Sequence, residues 1–82
     1  MNIRENLNNV IPGEYAVIDQ LNACGGMRRR LLDIGICEGT VIKCVGCSPF
    51  GDPKAFLIRG AVIAIRSEDC ADIKIKRRWE EQ

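Results

Sequence analysis

Two thiols stand two residues apart in Cys44-Val45-Gly46-Cys47, a spacing that can serve as half of a metal site or as a redox pair. A strand would separate them, because positions i and i+3 point to opposite faces and lie about 10 Å apart along the chain. Only a turn or bulge at Gly46 would bring both sulfurs to one ion. A closed structural site also needs about four ligands, and the chain has no histidine. No second CxxC is present, and Cys24, Cys37 and Cys70 are isolated. Free cysteine is among the most buried residue types. The five cysteines therefore read as reduced structural thiols. Fe2+ or Zn2+ held by Cys44 and Cys47, in a thiol-dependent metal carrier or sensor, is the alternative.

Catalytic machinery is hard to assemble from the remaining residues. There is no histidine to act as general base, no GxxxxGK[ST] phosphate loop and no serine in a nucleophile elbow. Glu68 and Asp69 are adjacent in sequence and suit a helix N-terminus better than acid–base work. A non-catalytic protein without a resident cofactor is expected. Nucleic acid is not an expected partner either. Net charge is +1, from 12 basic and 11 acidic residues, so no global field gathers polyanions or anionic lipid. The basic runs Arg28-Arg29-Arg30 and Lys74, Lys76, Arg77, Arg78 read as solvated faces. Aromatic stacking material is scattered over Tyr15, Phe50, Phe56 and Trp79.

A different kind of chemistry is written in Ser48-Pro49-Phe50-Gly51-Asp52-Pro53. Pro49 and Pro53 fix φ on either side of Gly51-Asp52, and Asp52 can accept from a nearby backbone N–H in an Asx-type turn. A phenylalanine held between prolines loses little entropy on meeting a partner. Phe50 either serves that purpose or folds back over one end of the core.

The elements that must position these residues follow from hydropathy patterning. Gly13–Leu21 alternates as a strand, with Tyr15, Val17 and Asp19 on one face and Ala16 and Ile18 on the other. Residues 3 to 10 suit one short helical turn with Leu7 and Val10 inward. Gly25–Gly35 is the best helix: Met27, Leu31 and Ile34 form an apolar stripe that Leu32 widens. Arg29, Arg30 and Asp33 face outward, and Gly35 sits where a helix wants a left-handed residue. Thr40–Val45 is a short β-branched strand. Two further strands flank Arg59-Gly60 as a hairpin. Ser67–Asp72 reads as a helical turn capped by the Ser67 hydroxyl. Asp72–Lys76 is the last strand, Ile73 and Ile75 inward, and residues 77–82 form a charged, frayed tail.

About five short strands, one inserted helix and a helical turn before the last strand make a mainly β chain. Curling into a small, partly open, SH3-like barrel removes most of the exposed edges. Residues 1–76 make that single domain, and 82 residues allow one core and no second domain. The start "MNIRENLNNV" is polar, and the longest apolar stretch, Ala61 to Ile65, is far short of the ~20 residues that span a bilayer. A cytoplasmic protein is expected.

Taken in order, "RRLLDIGICEGTVIKCV" and "SPFGDPKAFLIRGAVIAIRSEDCADIKI" resemble the ferrous iron transport protein A family, FeoA. The matching positions are Arg30-Leu31, Ile34-Gly35-Ile36, Gly39, Pro49, Gly51-Asp52-Pro53, Ala64-Ile65-Arg66, Ala71, Ile73 and Ile75. The likeness runs from about Ile11 to Lys76. It implies an SH3-like barrel and a small cytoplasmic accessory of bacterial ferrous iron uptake. The implied partner is the cytosolic G-protein region of the membrane transporter FeoB, reached at the inner face of the membrane. Similar domains occur in iron- and manganese-dependent repressors, and a stand-alone relative of those is a further alternative. The cysteines depart from the family pattern, so the resemblance gives them no function. A partner-facing edge is expected at Pro49, Phe50 and Asp52, continued by Arg29 and Arg30.

Overall fold

Burial alternates along Glu14–Leu21 (β2): Ala16 and Ile18 are fully buried, while Tyr15, Val17 and Asp19 lie half-buried on the opposite face. The same period of two builds the other long strands, Val41–Cys47 (β3), Lys54–Ile58 (β4), Ala61–Ile65 (β5) and Ile73–Glu80 (β6). A two-residue strand, Glu5–Asn6 (β1), adds one more. These come from a computed structural model that describes residues 5–80. The six strands form one antiparallel sheet in the order β1-β6-β2-β3-β4-β5.

The turn that follows β1 is tied to β4 and to Ser67, beyond β5, by side chains and not by a ladder. Lys54 Nζ on β4 donates to the carbonyls of Asn8 and Val10, each at 2.7 Å. Those residues belong to a single 3-10 turn, Leu7–Asn9, and its exit. Asn8 Nδ2 reaches on to the Ser67 carbonyl at 3.0 Å. The sheet therefore curls around a core of Leu7, Val10, Ile18, Ile36, Ile42, Cys44, Phe56, Ile58, Cys70, Ile73 and Ile75, each less than 2% exposed. Burying a large apolar side chain contributes roughly 1.5–3 kcal/mol, so this cluster is what holds the curl.

The helix Gly25–Asp33 (α1) follows β2. Its end is a Schellman motif: Ile36 N–H donates to Leu31 O and Gly35 N–H to Leu32 O, both at 3.0 Å. Gly35 takes φ +98°, which a side chain disfavours, and Ile36 buries against the turn as the motif requires. The hairpin between β4 and β5 turns through Arg59 (φ +49°) and Gly60 (φ +86°), as the sequence predicts.

Three expectations need correcting. Leu32 does not widen the apolar stripe of α1; it is exposed, because only Leu31, with Met27 and Ile34 beside it, reaches the core. Ser67 does not cap the short helix Ser67–Cys70 (α2): Arg66 holds the N-cap position and Ser67 is the first helical residue. The chain does not fray at residue 77. Arg77–Glu80 continue β6 and pair with β2, Trp79 opposite Tyr15 and Arg78 opposite Ala16. Trp79 stacks on Tyr15 with ring centroids 5.7 Å apart, and Arg78 binds both Glu5 and Glu14. The charge of this segment masks a strand whose side chains find partners. The helical turn expected over residues 3 to 10 is the 3-10 turn with Leu7 and Val10 inward; residues 3 and 4, like the tail residues 81 and 82, lie outside the described residues.

Candidate functional site

The connection between β3 and β4 is a bonded loop. Gly51 N–H donates to Ser48 O at 2.8 Å, closing a β-turn with Pro49 at its second position. Ser48 N–H donates to Pro53 O at 3.1 Å, and Asp52 N–H to Ser48 Oγ at 3.0 Å. The Ser48 hydroxyl donates in turn to Asp52 O, and the Asp52–Pro53 peptide is cis. Beyond the loop, Asp52 Oδ1 accepts Ser67 N–H at 2.8 Å and Oδ2 the Ser67 hydroxyl at 3.1 Å. Asp52 is thus committed to α2 and not to an Asx turn of its own loop. Phe50 does not fold back. It is 96% exposed at the tip of this pinned frame, the geometry that lets an aromatic ring meet a partner with little loss of freedom.

From α2 a groove of about 280 Å³ runs between α1 and β5. Met27, Leu31 and Ile34 line one wall and Ile63 and Ile65 the other, with Arg30 and Arg66 at its rim. Successive helical residues point about 100° apart, and the two expected arginines separate accordingly. Arg30 lines this groove, whereas Arg29 lies with Arg28, Leu32 and Asp33 on a different hollow. The loop and Arg30 thus meet through α2, and Arg29 stands apart. Sequence reading placed Ser48 in the loop and Ser67 at the start of α2 but missed the hydrogen bonds by which they hold the loop in place. The Ser-Pro pair was a local signal for those of Ser48, but nothing local marks those of Ser67.

The cysteines are placed by packing. β3 carries an extra residue, since Cys44 pairs with Phe56 and Gly46 with Ala55, leaving Val45 as a bulge. Even so, Cys44 is fully buried, its thiol donating to Gly46 O at 3.6 Å, while Cys47 is exposed. Burial raises the Cys44 thiol above its ordinary pKa and pushes Cys70 up to about 12. Both are therefore held as neutral thiols, and the thiolate is the nucleophile and metal ligand. Cys37 Sγ lies 3.1 Å from Thr40 Oγ1 and takes Arg59 Nη2 at 3.8 Å; Cys24 is exposed. Among the described residues no three cysteine, aspartate or glutamate side chains gather around one point. Nor is any helix among them long and apolar enough to cross a membrane.

Comparison with known proteins places this geometry. The family model for the FeoA domain matches residues 5–77. A Porphyromonas gingivalis protein, an Fe(2+) transport protein A/Fe(2+) transporter FeoB fusion, is 34% identical over 64 residues. That match covers 78% of this chain, which spans 8% of the relative's length. A FeoA-like protein from Clostridium acetobutylicum superposes with TM-score 0.80 at 31% identity, covering 92% of this chain and 87% of the other. A Stenotrophomonas maltophilia FeoA complexed with zinc, described as an SH3 domain protein, has TM-score 0.81 at 17% identity. It covers 93% of this chain and 96% of the other, and at that identity it speaks to the fold alone. The expected SH3-like fold is the one found, and with the match over residues 5–77 the chain belongs to the FeoA family.

Proposed function

We propose that this chain is a non-catalytic, cytoplasmic binding module that docks on the cytosolic G-protein region of the ferrous iron transporter FeoB and regulates it. The observation that carries this reading is the fusion relative, in which a homologous domain and the transporter share one polypeptide. A tether of that kind holds two modules at an effective concentration of about millimolar. Where the two are separate chains, a docking surface must do the same work. The pinned loop offers one: Pro49 and Phe50 project, Asp52 fixes their frame, and the arginines of α1 add positive charge, Arg30 on the groove side. Regulation follows if the module binds one nucleotide state of the transporter better than the other, because a ligand shifts an equilibrium only by its differential affinity.

The test is the affinity of the purified protein for full-length FeoB from the same cell, in detergent, loaded in parallel with GDP or a GTP analogue. Specific binding that differs between the two states is expected. Equal binding would make the module a scaffold, and no binding in either state would remove the reading.

A further inference from the structure

β5 ends the sheet, and its ladder runs to β4 alone. The Arg59-Gly60 turn, with both φ values positive, is of the type that makes the flanking Ile58 and Ala61 a hydrogen-bonded pair. Antiparallel alternation then turns the N–H and C=O groups of Val62 and Ala64 away from β4. Among the described residues these groups meet no backbone partner on that side. Proteins commonly blunt such an edge with a charge, a proline or a bulge, yet Ala61–Ile65 contains none of them. Val62 is 64% exposed and Ala64 is exposed beside it.

This edge lies along the groove, where Ile63, Ala64 and Ile65 form the wall facing Met27, Leu31 and Ile34 of α1. Charge around it is biased positive. Arg30, Arg66 and Asp69 all line the groove, and Arg59 stands at the other end of the strand. Arg30 has no carboxylate partner among the described residues, and Arg66 makes only a 3.6 Å contact with Glu68 between side chains more than 70% exposed. Such an exposed pair holds its members weakly. A second copy is a poor occupant. Antiparallel pairing of two β5 strands would set Arg59 of each near Arg66 of the other, and like charges across a ladder are destabilising.

We propose that the open edge of β5 accepts an extended segment of the partner as a seventh strand, one apolar side chain entering the groove beside Leu31 and an acidic residue meeting Arg30. Main-chain bonds to Val62 and Ala64 supply the affinity and the groove supplies the selection, as in strand addition generally. The inference rests on the partner reading above and names the surface through which it would act.

The experiment measures amide exchange in this protein with and without detergent-solubilised FeoB, together with the affinities of Val62→Pro and Arg30→Glu. The Val62 N–H faces away from β4, so proline at this edge position leaves the existing ladder intact. Binding should slow exchange at Val62 and Ala64 by about tenfold or more, and each variant should weaken affinity by about tenfold. If FeoB binds while those two amides exchange unchanged, the strand-addition proposal is overturned and the partner reading stands. If FeoB does not bind at all, both fall. Should Val62→Pro fail to fold, exchange in the unaltered protein decides the matter.

Discussion

Asp52 and Ser67 are joined across fifteen residues of chain by two hydrogen bonds, 2.8 Å to the Ser67 N–H and 3.1 Å to its hydroxyl. One carboxylate thereby closes the first turn of α2 and fixes the loop that carries Phe50. Losing a side-chain cap of this kind costs about 0.5–2 kcal/mol. Asp52→Ala should therefore lower stability by about 1–2 kcal/mol in urea denaturation, with Asp52→Asn between it and the parent. Unchanged stability in Asp52→Ala would show that the loop and helix hold their places separately.

Phe50 makes the complementary case. At 96% exposure it has almost nothing to lose from the fold, and substitutions at such positions stay within about 0.5 kcal/mol. Phe50→Ala should leave Tm unchanged while weakening FeoB affinity by about tenfold, or ~1.4 kcal/mol. Undiminished affinity in a folded variant would take Phe50 out of the interface. Asp52→Ala should affect both readouts, which separates a residue that shapes the loop from one that meets the partner.

Arg78 and Arg66 offer a second contrast. Arg78 donates to Glu5 and, at 2.9 Å, to Glu14, whose side chain is only 8% exposed and whose other oxygen holds the Ile11 N–H at 3.0 Å. Removing the arginine leaves a buried carboxylate short of a partner, which is costly. Arg78→Met should lower Tm clearly, and Arg66→Met should leave it in place. Equal effects would mean that the Glu14 carboxylate is satisfied without Arg78.

The helix glycines should respond with opposite signs. A Cβ at Gly35, where φ is +98°, would lie 2.6 Å from Arg59 Cδ, whereas Gly26 has open space around it. Left-handed backbone costs a residue with a side chain about 1–2 kcal/mol, so Gly35→Ala should destabilise by that order. Gly26→Ala should stabilise by about 0.5–1 kcal/mol through helix propensity. Chemical denaturation of the two variants reads both, and stabilisation by Gly35→Ala would contradict the Schellman closure.

What the sequence made legible was local. The stripe of Met27, Leu31 and Ile34, the left-handed Gly35 and the Arg59-Gly60 hairpin each depend on neighbours within a few residues, and each is found. Leu32 misled because an apolar residue beside a stripe still points about 100° away from its neighbour. The charged segment Arg77–Glu80 hid a strand whose reasons lie in Glu5, Glu14 and Tyr15, distant in sequence. The Asp52–Ser67 link was invisible for the same reason. Asx-turn chemistry is the local default for such an aspartate, and only the folded chain brings a helix start within its reach. At Cys44 the bulge was conceivable from Gly46, but burial against Phe56 is a tertiary fact.

Alkaline pH should unfold this protein earlier than its composition suggests. Cys70 is fully buried, with its thiol on the Ile65 carbonyl at 3.7 Å, and burial pushes its pKa up from an ordinary value of 9.0 to about 12. The folded state thus binds the thiol proton more tightly than the unfolded chain does. That contribution is fully present below about pH 9 and is lost as the pH rises toward 12, at up to ~1.4 kcal/mol per pH unit. Cys44, raised by the same burial, acts with the same sign. Urea midpoints taken from pH 8 upward should fall more steeply in the parent than in Cys70→Ala, the difference isolating this thiol from titrations the two proteins share. Parallel curves would mean that Cys70 ionises as readily folded as unfolded, and that the core beneath α2 opens to water before the rest of the sheet.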